Sequence, residues 1–429
     1  MILARREMMV VLRLIRFELK KMLDTKLALV VNTGVLLLLC IVMVSNITQQ
    51  RTKSNVDVQL HGTAAIAQAR EAKQAHAGTL TADRIADDIT QYRAIAFEKV
   101  DPSQIVDLSD AAAYDLMSKT YSQDTLTKLY DSYYTYLLSP WKVGAQEPYQ
   151  VAANVDGGEA ANFYTAVAQG AVSRLDGGMG DTWTYTDAER AYWTSRQAEV
   201  LTPFEYGYEG GWDDILDCTG FLIFAMLSIC VTLASVFAGE YQARTDSVLL
   251  ASRHGRSKLV GAKIIASFLY ATVVFAIAAI IICGIPLAFF GADGGTLPIQ
   301  NTDLAIPYSF TMSQAVFLEI GIAYVMTLGF AALTLLLSFR MRSMLGVFIV
   351  DMVLIIVTGM IPSGGNAIVK HIEYLFPYGA ASASFSSFIS YPFGDVVLDL
   401  IGMIVIVYLL LAAICIPLSA VSFRRHQVA

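Results

Sequence analysis

Charge is scarce in this 429-residue chain. Asp, Glu, Lys and Arg together make up 16% of it, against roughly 25% in a soluble globular protein. The shortage is concentrated in several apolar runs. Each is long enough for the about 20 helical residues that a bilayer crossing requires, so a purely soluble architecture is excluded. A basic domain is also missing, and the net charge is -7. Nothing here is built to neutralise a phosphate backbone, which excludes nucleic acid as a partner. Cysteine is rare: Cys40, Cys218, Cys230, Cys283 and Cys415 all fall in or beside apolar runs, and residues 48–213 contain none. No disulfide can staple that segment, and no cysteine pair has metal-ligand spacing. His61, His76, His254, His371 and His426 are scattered, without an HExxH motif. GxSxG is absent. So is GxxxxGK[ST], which leaves the chain without a P-loop for hydrolysing a nucleoside triphosphate. No residue is nominated as catalytic or metal-binding.

What the chain has is apolar length, with 55% hydrophobic residues. Six runs read as membrane crossings: 27–47, 215–238, 263–290, 313–338, 344–361 and 396–421. A basic stretch, 1–26, precedes the first. There Leu12, Ile15, Leu19, Met22 and Leu23 share one helical face, while Arg13, Arg16, Lys20 and Lys21 lie largely off it. Such a helix rests in the interface and touches lipid headgroups. Residues 48–213 differ in kind. Acidic residues outnumber basic ones there, whereas the rest of the chain is net positive, and no run could span a bilayer. Helical patterning covers 57–76, 82–100, 109–138, 158–175 and 187–201, with start signals at Thr81 and Asp187. The length suits one domain with its own core. Tyr130, Tyr133, Tyr134 and Tyr136 make the third stretch aromatic. They read either as core or as a groove for an apolar or peptide cargo.

Lys and Arg set the orientation. Segments 1–26 and 239–263, the turn at 339–343 and the C-terminus carry 16 of them; connections 291–312 and 363–395 carry one, Lys370. By the positive-inside rule both termini are cytoplasmic and 48–213 is outside. The expectation is an all-α polytopic protein, multi-pass in the cell membrane. It has six transmembrane helices and a large, mainly helical extracytoplasmic domain between the first and second. Its parts are a cytoplasmic amphipathic helix (1–26), a first transmembrane helix (27–47), the extracytoplasmic domain (48–213) and a five-helix membrane part (214–429) that includes the loop 239–263.

That loop reads GEYQARTDSVLLASRHGRSKLVGAK. It is longer than a turn between two spans requires. Arg244, Arg253, Arg256, Lys258 and Lys263 dominate it, around an apolar ridge of Val248, Leu249 and Leu250. Charge alone accounts for it as a topology signal; its patterning suggests a surface for a partner. The order Glu240, Thr245, Leu249-Leu250, Ser252, Arg256, Lys263 resembles the first cytoplasmic loop of ABC-2-type permeases, the membrane subunits of ATP-driven exporters. The string RFELKKMLDTK resembles the elbow before their first span. The chain departs from that pattern at Arg244, where Gly is common, and at Arg253, where Pro is. The resemblance implies the permease of a bacterial exporter that moves a substrate with ATP and Mg held by a separate ABC ATPase subunit. It implies no cofactor on this chain, and pairing with a second permease copy or a paralogue. It also implies that Glu240, Arg244, Thr245, Leu249, Leu250, Arg253, Arg256 and Lys258 form the ATPase-docking loop.

Three acids fall inside predicted spans: Asp351 well inside the fifth, Glu319 and Asp399 nearer the ends of theirs. A charge in lipid is costly, so each should face protein or a water-filled path. They read as a transport route or as helix packing. Two rival classes stay open. One is a membrane scaffold or sensor whose external domain binds a ligand. The other is a secondary transporter, for which an internal repeat is expected and none is evident.

Overall fold

The computed structural model describes residues 2–51, 60–176, 183–244, 258–341, 343–361 and 365–425. Helix α1 (Ile2–Leu23) turns at Asp24 and Thr25 into α2 (Lys26–Gln49). After the long segment, α12 (Gly210–Cys218) runs through a 3-10 turn into α13 (Leu222–Gln242). Helices α14 (Lys258–Phe290), α15 (Met312–Arg340), α16 (Met344–Ile355) and, after the short α17 (Ala367–Glu373) and α18 (Pro377–Ser382), α19 (Leu400–Arg425) complete the bundle. Among the described residues, five helical stretches are long and apolar enough to cross a membrane: 26–49, 210–242, 258–290, 312–340 and 400–421. The protein is an all-α polytopic membrane protein.

Two expected spans are shorter than read. Helix α16 stops at Ile355, followed by a 3-10 turn at Val357–Met360. Ile355, Ile356, Val357 and Thr358 are β-branched and Gly359 follows, so helix propensity collapses just there. Residues 396–399 are not helical either. They form β4 (Val396–Asp399), antiparallel to β3 (Ser390–Phe393) around the two-residue turn Gly394 and Asp395. Asp399 then caps the last helix, accepting from the Gly402 N–H at 2.8 Å.

The stretch 210–242 sits at the centre of the bundle. Of its apolar window 72% is buried, against 22%, 33% and 17% for α2, α14 and α19, whose outward faces suit lipid. A polar knot pins three helices there. Asn32 on α2 donates to Thr232 Oγ1 (3.0 Å) and Tyr270 Oη (2.8 Å), and Ser228 Oγ donates to Asn32 Oδ1 (3.1 Å). In hydrocarbon such bonds contribute about 0.6–2 kcal/mol each.

The long segment contains nine described helices: α3 (Thr63–Ala75), α4 (Ala82–Ala96), α5 (Asp110–Thr120), α6 (Gln123–Leu129), α7 (Ser132–Leu138), α8 (Pro148–Asn154), α9 (Gly157–Ala160), α10 (Phe163–Asp176) and α11 (Asp187–Ala198). The small ladder of β1 (Gly78–Thr79) and β2 (Glu205–Tyr206) joins them. The single helix expected at 109–138 is three. Ser122 and Asp131 accept backbone N–H groups of the following turns, and these side-chain caps restart the helix each time. The aromatic stripe belongs to the core: Tyr133 and Leu137 are buried with Tyr92, Tyr149 and Phe163, and Tyr134 packs against them.

A second apolar cluster joins this segment to the bundle. Trp193 and Tyr185 pack with Ile306, Tyr308, Met312 and Phe388. Buried Glu189 accepts from Ser390 Oγ at 2.8 Å, and Tyr185 Oη donates to the Phe388 carbonyl at 3.0 Å. Lys73 pairs with buried Glu209, and Arg70 with Asp293. The long segment and the connections 291–311 and 383–399 therefore pack together on one face of the bundle.

Candidate functional site

The opposite end of the bundle holds a buried charge cluster. Lys263, one turn into α14 and fully buried, points its ammonium at two carboxylates. Its Nζ lies 3.0 Å from Glu18 Oε2 on α1 and 2.6 Å from Glu240 Oε1 near the end of α13, and it donates to the Val236 carbonyl at 3.3 Å. Lys21, half exposed, reaches the same Glu240 oxygen at 2.7 Å. Two lysines and two glutamates thus neutralise one another. Both flanks of the loop, α13 and α14, are tied to α1 by that shared ammonium.

Glu240 therefore faces inward, towards Lys263 and Lys21. Arg244 is exposed, the last described residue in the first half of the loop, with φ 53°. That left-handed conformation at a helix end is the one glycine favours, which explains why Gly suits the position and what Arg forfeits there. Lys258 opens α14. Thr245, Leu249, Leu250, Arg253 and Arg256 lie outside the described residues.

On the face carrying the long segment, a cavity of about 570 Å³ lies between the ends of α12, α15 and α19 and the segments 299–308 and 380–389. Glu319 and Asp217 line it, and Thr219 Oγ1 donates to Glu319 Oε2 at 2.6 Å. The three intramembrane acids part company here. Glu319 alone lines the cavity. Asp399 sits behind its wall, accepting from Tyr308 Oη at 3.0 Å; burial, then the Asp399 charge, pushes that phenol's pKa far up, so Tyr308 stays a donor. Asp351 is fully buried between α13, α15 and α16, accepting from Thr334 Oγ1 at 2.9 Å. Its Oδ1 has no hydrogen-bond partner among the described residues.

A family model described as ABC-2 family transporter protein matches residues 13–428. The chain belongs to the ABC-2 transporter family. No curated protein and no solved structure matches it. The family match runs through the long segment as well, which the loop motif did not reach. Two of the residues that carried the resemblance, Glu240 and Lys263, are bonded to each other in this ABC-2 permease. The second resembling stretch, RFELKKMLDTK, supplies Glu18 and Lys21. The loop pattern places Glu240 on a docking face, whereas its carboxylate meets Lys21 of α1 and Lys263. Glu18 on the apolar side of a basic helix was the available signal.

Proposed function

We propose that the chain is the membrane subunit of an ATP-driven exporter, coupled to a separate ABC ATPase that holds ATP and Mg and paired with a second permease copy or paralogue. The observation that carries this is the junction of Glu18, Lys263 and Glu240. It fastens both ends of the loop 239–263 to the α1 elbow, so a push on the loop moves α13, α14 and α1 together. A loop needed only for topology has no use for a buried lysine shared between two helices. In this reading Leu249 and Leu250 are the apolar side chains that a docked partner buries. Burying each contributes about 1.5–3 kcal/mol, and charges in their place add a desolvation penalty.

The expected result is that Leu249→Asp with Leu250→Asp leaves expression and membrane insertion normal while the partner ABC ATPase no longer co-purifies. Co-purification of that double variant at the wild-type level would remove the docking role.

Orientation is tested with introduced cysteines and an impermeant thiol reagent in intact cells. Val143 is 73% exposed, so Val143→Cys should label and Arg253→Cys should be protected. The reverse pattern inverts the topology and takes the ATPase contact with it. Val100, at 4% exposure, would be shielded on either side.

A further inference from the structure

The cavity beside Glu319 has a chemical character of its own. Its carboxylates arrive from three elements: Asp213 and Asp217 from α12, Asp303 from the connection before α15, Glu319 from α15. Its other walls combine apolar and aromatic side chains, Met326, Trp193 and Phe388 among them, with hydroxyls at Thr219, Thr302 and the serines of 382–387. Among the described residues, no Lys, Arg or His lines it. Arg196, behind the wall residue Tyr308, stands over that ring at 5.9 Å and is turned to Glu199 at 3.6 Å. The volume falls within the about 300–1,000 Å³ of small-molecule sites. A bare metal ion is poorly matched, because among the described residues no three His, Cys, Asp or Glu side chains gather closely enough to hold one, and an anion would meet only like charge. A large organic cation fits each feature. Its body covers apolar wall, its charge meets Glu319 and Asp217, and aromatic faces attract it further.

We propose that this cavity binds a lipophilic cation, and that this is the class of molecule the permease handles. The assignment rests on the transporter reading for its purpose, but not for its binding chemistry. Glu319 and Asp217 hold the charge; Met326 and Phe388 hold the apolar body. The position fits a site at the membrane boundary. Asp217 and Glu319 lie near the helix ends on the face that carries the long segment, whose Trp193 forms part of the wall.

The test uses the purified full chain in nanodiscs, without the ATPase, with empty nanodiscs as blank. The probes are tetraphenylphosphonium and tetraphenylborate, which share shape and size but differ in the sign of charge. The phosphonium should bind saturably to the chain, and the borate should not bind above blank. Glu319→Gln with Asp217→Asn should weaken phosphonium binding at least tenfold. Met326→Trp should abolish it by filling the cavity without touching charge. Asp351→Asn, away from the cavity, should leave it unchanged. Equal binding of the two probes, or phosphonium binding undiminished in Glu319→Gln/Asp217→Asn and in Met326→Trp, overturns the proposal. If any variant fails to fold, the probe pair on the wild-type chain still decides. Failure here would leave co-purification of the ATPase untouched, so this result and the exporter reading fall separately.

Discussion

Lys263→Met is expected to be among the most damaging single substitutions in the protein. It removes the ammonium that Glu18 and Glu240 share and leaves two carboxylates beside each other at 3% and 5% exposure. Lys21 can answer only one of them. Removing one member of a buried ion pair costs about 3–5 kcal/mol. The readout is thermal unfolding in detergent together with ATPase co-purification, and both should fall. The triple variant Glu18→Gln, Glu240→Gln, Lys263→Met takes away every buried charge and should recover most of the thermal stability, because buried ion pairs add little over neutral packing. A Lys263→Met protein as stable as wild type, still carrying its ATPase, would show that the junction neither holds the helices nor couples them.

Gly294→Ala should release the long segment from the bundle. Gly294 has φ +80°, and a Cβ there would lie 2.3 Å from the Tyr208 carbonyl oxygen and 2.7 Å from the Glu209 Cα. Both are backbone atoms, so no rotamer change relieves the clash. The left-handed conformation alone costs about 1–2 kcal/mol, and the forced separation adds to it. The neighbours that give way are the Lys73–Glu209 and Arg70–Asp293 pairs. Hydrogen exchange should accelerate at 204–211 and 291–297 while the polar knot around Asn32 stays protected. Gly144 serves as the control: its φ is +62° with nothing near a Cβ, so Gly144→Ala should show the conformational part only. If the two variants behave alike, the contact at Gly294 does not fasten the segment.

Much of the architecture was legible because bilayer chemistry leaves few options. Apolar length marks the spans, and most appear within a few residues of where they were read. The misreadings are local. The apolar run 344–361 continues past the point where Ile355, Ile356, Val357, Thr358 and Gly359 can hold a helix, since hydropathy does not register β-branching. The strand at Val396–Asp399 is as apolar as the helix after it, so its boundary was invisible to hydropathy; only the Gly394 and Asp395 turn betrays it. At 109–138, side-chain caps at Ser122 and Asp131 outweighed a continuous periodic pattern. The candidate site was half visible. Glu240 and Lys263 stood out by resemblance, but the pairing of Lys263 with Glu18 spans 245 residues and that of Glu240 with Lys21 spans 219, and no local signal reaches that far. The cavity could not be read at all, because Asp213, Asp217, Asp303 and Glu319 come from three elements far apart in sequence and meet only when α12, α15 and the 291–311 connection pack together.

The junction at Lys263 also has an order of manufacture. Glu18 and Lys21 leave the ribosome more than two hundred residues before the groups that complete them, Glu240 and Lys263. Until then their charges need a solvent. A helix lying flat at the membrane surface supplies it, with water and headgroups on one side and acyl chains on the other. The elbow can therefore wait through the synthesis of the whole long segment without an unpaired charge in hydrocarbon. It docks when α14 arrives, so closing the junction marks the moment at which the first three crossings have been assembled in register.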